Sequence, residues 1–288
     1  MIRLGIVGSD NSHALAFSEL CNVRSADDPL AIPGAAVVAI CGDDASRTRE
    51  VAEKGLISRV VATPEEMIGE VDAALVVHRH GGRHLASARP FLERGIPVFV
   101  DKPLAADVAE AEEIVGLARR NGAPLTSFTT LRWSPSFREF AGSLSACGEV
   151  VAASAAGPGD PDSPYGGLFF YGIHSVELML AAFGSGVRRV RTSQLGKQCL
   201  AAVEYEDKLV CLQLFSGAAS TWHLAAFGRD GHRSVDVDAR DCYYFGLRAV
   251  LDMVESRRPP LSDQELLEPV SVLASIERSR ASGDAVDL

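Results

Sequence analysis

The first 128 residues alternate short apolar runs with stretches of helical character. The runs Ile2 to Val7, Ala36 to Cys41, Arg59 to Ala62, Ala73 to Val77, Val98 to Val100 and Leu125 to Phe128 are apolar at nearly every position. That is the pattern of strands covered on both faces, since a half-solvated strand alternates apolar with polar residues. Between them stand helix starts with recognisable caps: Ser12 ahead of His13 to Leu20, Thr63-Pro64-Glu65-Glu66, and Asp107 ahead of Val108 to Arg120, with Gly122 as a stop. This order predicts an α/β domain over residues 1–122, with a doubly wound parallel sheet and helices on both faces. After about Ser134 the rhythm changes. Val150 to Ala155, Val187 to Ser193, Cys199 to Glu204, Leu209 to Phe215, Ser220 to Ala226 and Ser234 to Val237 follow one another across short polar turns, and helices are predicted at Ile173 to Ala182, Tyr244 to Glu255 and Asp263 to Ser279. Residues 123–288 are therefore expected to form an α+β domain with an open, mostly antiparallel sheet.

Composition narrows the function. At 288 residues, 47% hydrophobic and 23% charged, the chain has enough apolar surface for two ordinary folded cores. The formal charge of -10 disfavours nucleic acid and anionic membranes as partners. No apolar run approaches the ~20 residues of a membrane span. Six scattered cysteines without CxxC spacing point to reduced thiols rather than a disulfide or metal framework. Met1-Ile2-Arg3-Leu4-Gly5 runs straight into a strand without an export-signal pattern, so a cytoplasmic location is expected.

Candidate chemistry gathers where predicted strands end. The first strand runs into Gly8-Ser9-Asp10-Asn11-Ser12-His13 and a helix, where free N–H groups and the helix macrodipole would hold a dinucleotide's pyrophosphate in a Rossmann-like fold. The usual GxGxxG spacing would put glycine at 8, 10 and 13, but Asp10 and His13 occupy the latter two. A plain βα turn with Asp10 or Ser12 capping the helix is the competing reading. The second strand ends in Gly42-Asp43-Asp44, where an acid would accept from ribose hydroxyls or cap the next helix, and which prefers NAD over NADP. Arg47 and Arg49 lie one turn away. The fourth ends in His78-Arg79-His80-Gly81-Gly82-Arg83-His84. As an HxH metal site this loop lacks further ligands, so no metal is expected; beside a cofactor, Arg79 or Arg83 would offset phosphate charge. The fifth ends in Asp101-Lys102-Pro103. Lys102 is one of only four lysines among 28 basic residues, and an ammonium can exchange a proton where arginine cannot. A surface ion pair with Asp101 is the alternative. The turn-rich loop Gly157 to Pro164 is either a substrate-side loop or a plain surface connection.

Taken together, these segments resemble the Gfo/Idh/MocA family of glucose-fructose oxidoreductases and inositol dehydrogenases. Asp101-Lys102-Pro103-Leu104-Ala105 resembles its Glu-Lys-Pro motif. Val71 to Val77, His84 and Gly95-Ile96-Pro97-Val98 resemble the segment before that motif. Arg132-Trp133-Ser134-Pro135 resembles the Arg-aromatic-x-Pro that opens its second domain, Gly172-Ile173-His174-Ser175-Val176-Glu177 its Gly-x-His-x-x-Asp helix start, and Ser279 to Leu288 its usual chain end. The resemblance implies a nicotinamide cofactor, NAD or NADP, on the first domain. It also implies hydride transfer to or from a carbinol carbon of a sugar, cyclitol or polyol, with Lys102 and His174 handling the proton and binding the reacting oxygen. Gly8, Ser9, Asp10, Asn11, Ser12, His13, Asp43, His78, Arg79, His84, Asp101 and Lys102 would then border the cofactor, and Lys102, Arg132, Tyr171 and His174 the substrate. A homodimer or homotetramer paired through the second-domain sheet is likewise implied. The family commonly places an aspartate two residues before the glycine of the histidine motif; here that position is Phe170, with Tyr171 or Glu177 as possible replacements. A catalytically silent protein that senses a nucleotide or sugar in the same cleft is the alternative function.

Overall fold

The computed structural model describes residues 1–288 and consists of two sheets with their helices. The first sheet is built by β1 (Ile2–Val7), α1 (Ser12–Ser18), β2 (Ala35–Cys41), α2 (Ala45–Lys54), β3 (Arg59–Val60), β4 (Ala73–Val76), α3 (His84–Leu92), β5 (Val98–Asp101), α4 (Val108–Asn121) and β6 (Leu125–Phe128). Its strand order is β3-β2-β1-β4-β5-β6 and every pairing is parallel. Residues of β4, β5 and β6 are buried without exception because helices cover both faces, and the polar residues among them, Asp101, Thr126 and Ser127, are sealed with the rest. The sixth strand lies beyond residue 122, so the first sheet closes at Phe128 rather than at the domain boundary expected from the sequence.

Local chemistry sets most element ends. Asp44 caps α2 by accepting from Ser46 and Arg47 N–H, Asp107 caps α4, and Gly122 ends α4 at φ 61°. α1 differs from expectation: Asn11, not Ser12 or Asp10, is its cap, accepting from His13 N–H.

The second half contains α5 (Pro135–Ser143), β7 (Val150–Pro158), α6 (Leu168–Phe183), β8 (Arg189–Leu195), β9 (Gln198–Glu204), β10 (Leu209–Phe215), β11 (His223–Gly228), β12 (His232–Asp236), α7 (Cys242–Ser256), α8 (Asp263–Ser282) and β13 (Val286–Asp287). Its strand order is β12-β11-β7-β10-β9-β8-β13. All pairs are antiparallel except β7 with β10, which run parallel because α6 and a hairpin intervene before the chain returns beside β7. Alternation is clean on β8, β9 and β10, one face buried against α6 and α8 and the other open. α6 starts five residues earlier than its apolar run predicts, which moves Phe170 and Tyr171 onto the helix that carries His174. No helix is long and apolar enough to cross a membrane.

Candidate functional site

The strand order reverses direction between β1 and β4, which opens a crevice at the carboxyl ends of these strands, the position where open parallel sheets bind ligands. Four connections meet there: the turn after β1, Gly42 to Asp44 after β2, the loop after β4, and the Asp101-Lys102-Pro103 segment ending β5, with a cis bond at Lys102-Pro103. The turn after β1 is shaped by Gly8. Its φ is 104°, and a Cβ there would stand 2.7 Å from the His78 backbone nitrogen, so only glycine lets β1 and β4 approach this closely. Gly8 N–H donates to Cys41 C=O, while the N–H groups of Ser9, Asp10, Asn11 and Ser12 have no acceptor in the protein. Consecutive free N–H groups on one turn fit an anionic phosphate.

The side chains of that turn are otherwise engaged. Ser9 Oγ lies 2.8 Å from Thr48 Oγ1 and points inward. The Asp10 carboxylate swings over to accept the Arg79 backbone N–H at 3.2 Å. Asp43 and Asp44 divide the two roles expected of the acidic pair, Asp44 capping α2 and Asp43 bonding Arg83 at 2.7 Å. Arg83 is thereby committed to a carboxylate, and Arg79 bonds Tyr165 Oη at 3.1 Å with its guanidinium over that ring. Neither arginine pairs with Asp10 by its side chain. His78 is buried, its Nε2 3.0 Å from Ser87 Oγ and its Nδ1 3.9 Å from both Asp10 and Asp43. Burial, aided by the charge of His84, pulls His78 down to about 4, so it is neutral near pH 7.

Below the crevice, α1 is pinned to β5. Asn11 Nδ2 donates to Asp101 at 3.0 Å and His13 Nδ1 lies 2.8 Å from the same carboxylate, which is fully buried. Burial would raise the Asp101 pKa, but the charges of His13 and Lys102 and the His13 hydrogen bond hold it below the ordinary carboxylate range. Asp101 therefore orients the floor of the site and cannot itself touch a ligand. The same correction applies to His84, whose ring nitrogens lie 2.8 Å from Pro103 C=O and 2.9 Å from His78 C=O with no exposed surface. It fastens the loop after β4 to the turn carrying Lys102.

A cleft of about 310 Å³ lies between the two halves. It is bordered by Asn11, Ser12 and His13 of the first domain, by Arg79 and Lys102, and by Phe170, Tyr171 and His174 of α6, with Trp222 and Tyr243 completing it. Lys102 Nζ sits 5.2 Å from the Phe170 ring centre and 5.8 Å from that of Tyr171, so an aromatic pair stands where the resembling family has a carboxylate. His174 is 5.6 Å from Tyr171 and 5.5 Å from Trp222, ring to ring. Burial, with the charge of Lys102, drives His174 well below its usual value, and it is neutral. Its Nδ1 lies 2.7 Å from Thr129 Oγ1, at the carboxyl end of β6. Glu177, the expected substitute partner, instead accepts the Thr129 backbone N–H, and burial raises it to about 7.

Of the residues singled out in the sequence, the structure brings Asn11, Ser12, His13, Arg79, Lys102, Tyr171 and His174 together at one cleft and sets Arg132 apart from it. Its guanidinium turns to Glu265 at 3.3 Å and does not border the cleft. The loop Gly157 to Pro164 is also outside: its first two residues belong to β7 and Asp160 bonds Lys197. Thr129, Trp222 and Tyr243 were missed. For Thr129 a signal existed, since it follows a strand end on the same sheet edge as Lys102.

Comparison with known proteins bears on the fold and the first domain. Residues 2–128 match the model of an oxidoreductase family with an NAD-binding Rossmann fold. An uncharacterized oxidoreductase of Escherichia coli, YhhX, is 27% identical over 42% of this chain and 38% of its own length. An inositol 2-dehydrogenase of Acidothermus cellulolyticus is 26% identical over 73% of this chain and 62% of its own length, so the chain spans less than two thirds of these curated relatives. In fold, a myo-inositol dehydrogenase from Lactobacillus casei, solved with NAD(H) and myo-inositol, superposes with a TM-score of 0.85 at 16% identity over 100% of this chain and 97% of that one.

Proposed function

We propose that the chain, whose residues 2–128 match the model of an oxidoreductase family with an NAD-binding Rossmann fold, is a Gfo/Idh/MocA-type NAD(P)-dependent oxidoreductase acting on a carbinol carbon of a small polyol, sugar or related hydroxylated substrate. The observation that carries the reading is the convergence of Lys102 and His174 on one cleft, beside a turn whose four N–H groups are free. A bound nicotinamide would supply the hydride acceptor or donor. Ser9 to Ser12 would hold its pyrophosphate by backbone N–H, and Asp43, when released by Arg83, the adenosine ribose, which favours NAD over NADP. Lys102 Nζ exchanges the hydroxyl proton with the substrate, because a carbinol becomes a carbonyl only when that proton also leaves. Tyr171 and Trp222 flank His174 and exclude water from the reacting oxygen. The open face of the second sheet would pair with a second copy, giving a homodimer or homotetramer.

The test is a panel of polyols and sugar acids with NAD and NADP, followed by the near-ultraviolet absorbance of reduced nicotinamide. Lys102→Ala should abolish turnover while changing coenzyme affinity, read by calorimetry, less than about threefold. The second reading, a silent sensor, draws on Phe170 in place of a carboxylate near Lys102. Coenzyme binding without turnover on any substrate would select it, and no heat with any pyridine coenzyme would refute the dehydrogenase and the nucleotide sensor alike, leaving only a sugar as the sensed ligand.

A further inference from the structure

We propose that Thr129 fixes the His174 proton on Nε2, so that His174 faces the cleft as a hydrogen-bond donor to the substrate oxygen and leaves proton exchange to Lys102 alone. This rests on the reading above for its consequence, though not for its geometry. Thr129 is fully buried. Its hydroxyl has two neighbours: the Leu131 N–H, which donates to Oγ1 at 3.3 Å as the start of a helical turn, and His174 Nδ1 at 2.7 Å. A threonine hydroxyl carries one proton and needs an acceptor for it when no water can reach. Leu131 N–H can only donate, so Nδ1 is the sole acceptor offered, and the Thr129 O–H must point at it. Neutral imidazole has one N–H, which then belongs to Nε2. Nε2 has no partner in the protein, and His174 borders the cleft.

An aspartate partner would do the reverse. It only accepts, so it would hold a proton on Nδ1 and leave Nε2 as a base, the arrangement of the Ser-His-Asp triad. Here Phe170 supplies no acceptor, and the buried carboxylate of Glu177 is spent on the Thr129 backbone N–H, which holds Thr129 in register with His174. The neutrality forced on His174 by burial is consistent with this assignment. In the oxidising direction Lys102 must enter as the neutral amine, its proton already given to solvent: the C–H pair would leave as hydride to the bound oxidised nicotinamide, the O–H proton would pass to the Nζ lone pair, and the new carbonyl oxygen would keep the Nε2–H hydrogen bond throughout. Reduction runs the same transfers backwards.

The experiment is long-range 1H–15N correlation of the histidine rings in the ligand-free, uniformly labelled protein near pH 7.5, with His174 assigned by loss of its signals in His174→Gln. The expected result is a neutral Nε2–H tautomer that turns into a mixture in Thr129→Val and returns in Thr129→Ser. In turnover, Thr129→Val should lower kcat by about 100-fold, as for loss of one aligned donor, with coenzyme KM unmoved. A wild-type ring protonated on Nδ1, or on both nitrogens, overturns the proposal, as does an unchanged tautomer in Thr129→Val. Should Thr129→Val fail to fold, the wild-type spectrum still decides. Because this readout needs neither coenzyme nor substrate, its failure is separate from failure of the dehydrogenase reading.

Discussion

Glu177 is a buried carboxyl whose ionisation opposes the fold near neutral pH. Its carboxyl is raised from 4.5 to about 7 in the fold because burial penalises the charged form more than the Thr129 N–H compensates. A raised carboxyl contributes fully at low pH, where both folded and unfolded forms are protonated. Its contribution falls between about pH 4.5 and 7 as the unfolded chain ionises first, and the loss levels off above that at about 3 kcal/mol. Glu177→Gln keeps an acceptor for Thr129 and removes the charge. The variant should match the wild type in urea midpoint near pH 4.5 and exceed it progressively up to pH 8; parallel curves would contradict the burial argument. Phe170 belongs to the same scale. Phe170→Asp puts a carboxylate beside the buried Lys102, whose Nζ sits 5.2 Å from the Phe170 ring centre, and should change coenzyme-independent stability by less than about 1 kcal/mol, since the attraction is offset by the desolvation of the new charge. None of this residue-level chemistry could be read in advance. The sequence shows that Phe170 stands in an acid's place, but not that Thr129, 45 positions earlier, meets His174.

At the scale of elements, the turn between β1 and α1 bears two loads. Gly8 allows the close approach of β1 to the chain leaving β4, and Asn11 both caps α1 and reaches Asp101 on β5. Gly8→Ala puts a side chain at a φ of 104° and against the His78 backbone, so a loss of about 2 kcal/mol or more in unfolding free energy is expected, with coenzyme binding weakened in parallel. Asn11→Ala should cost about 1 to 2 kcal/mol by chemical denaturation, through the lost cap and through loss of one of the two side chains that meet Asp101 Oδ2, which leaves His13 alone on the buried carboxylate. An equal effect of Asn11→Ala and of an exposed cap substitution such as Asp107→Ala would show that the Asp101 contact adds nothing. Elements were legible where periodicity is strong. The six strands of the first sheet, α4 and α8 lie within a few residues of their apolar runs, whereas the start of α6 did not, because Leu168 to Gly172 carries no capping residue: Gly167 precedes it without a side-chain bond.

At the scale of the whole molecule, the open face of the second sheet carries exposed apolar side chains that nothing within the chain covers. Leu200 and Leu209 stand about half exposed on it with Ala202, Cys211 and Ser154 between them, and Phe227 lies at its far side. Small and apolar residues at the middle of the face, with Arg189, Arg191 and Glu204 towards the β8 side, are the composition expected of an isologous contact with an apolar centre and a polar rim. Light scattering after gel filtration should give a dimer or tetramer, and Cys211→Arg, a charge at the centre of the face, should shift it towards monomer. A wild type that elutes as monomer at micromolar concentration would exclude the pairing. The two halves also meet within the chain, through the cleft itself: Arg79 on Tyr165 and His13 against Tyr243 at 4.8 Å are contacts that no single domain contains.

By itself the sequence determined the order of elements, the two-sided burial of the first sheet, and the presence of Lys102 at a strand end and His174 on a helix. These are properties of neighbours along the chain, carried by the spacing of apolar positions and by capping residues. Tertiary structure alone decided that Arg132 turns away to Glu265, that His84 and Asp101 are sealed beneath the site, and that Thr129 is the partner of His174. The reason is physical: a buried polar group must find its partner among whatever strand ends and helix turns packing brings within 3 Å, and separation along the chain does not record that proximity.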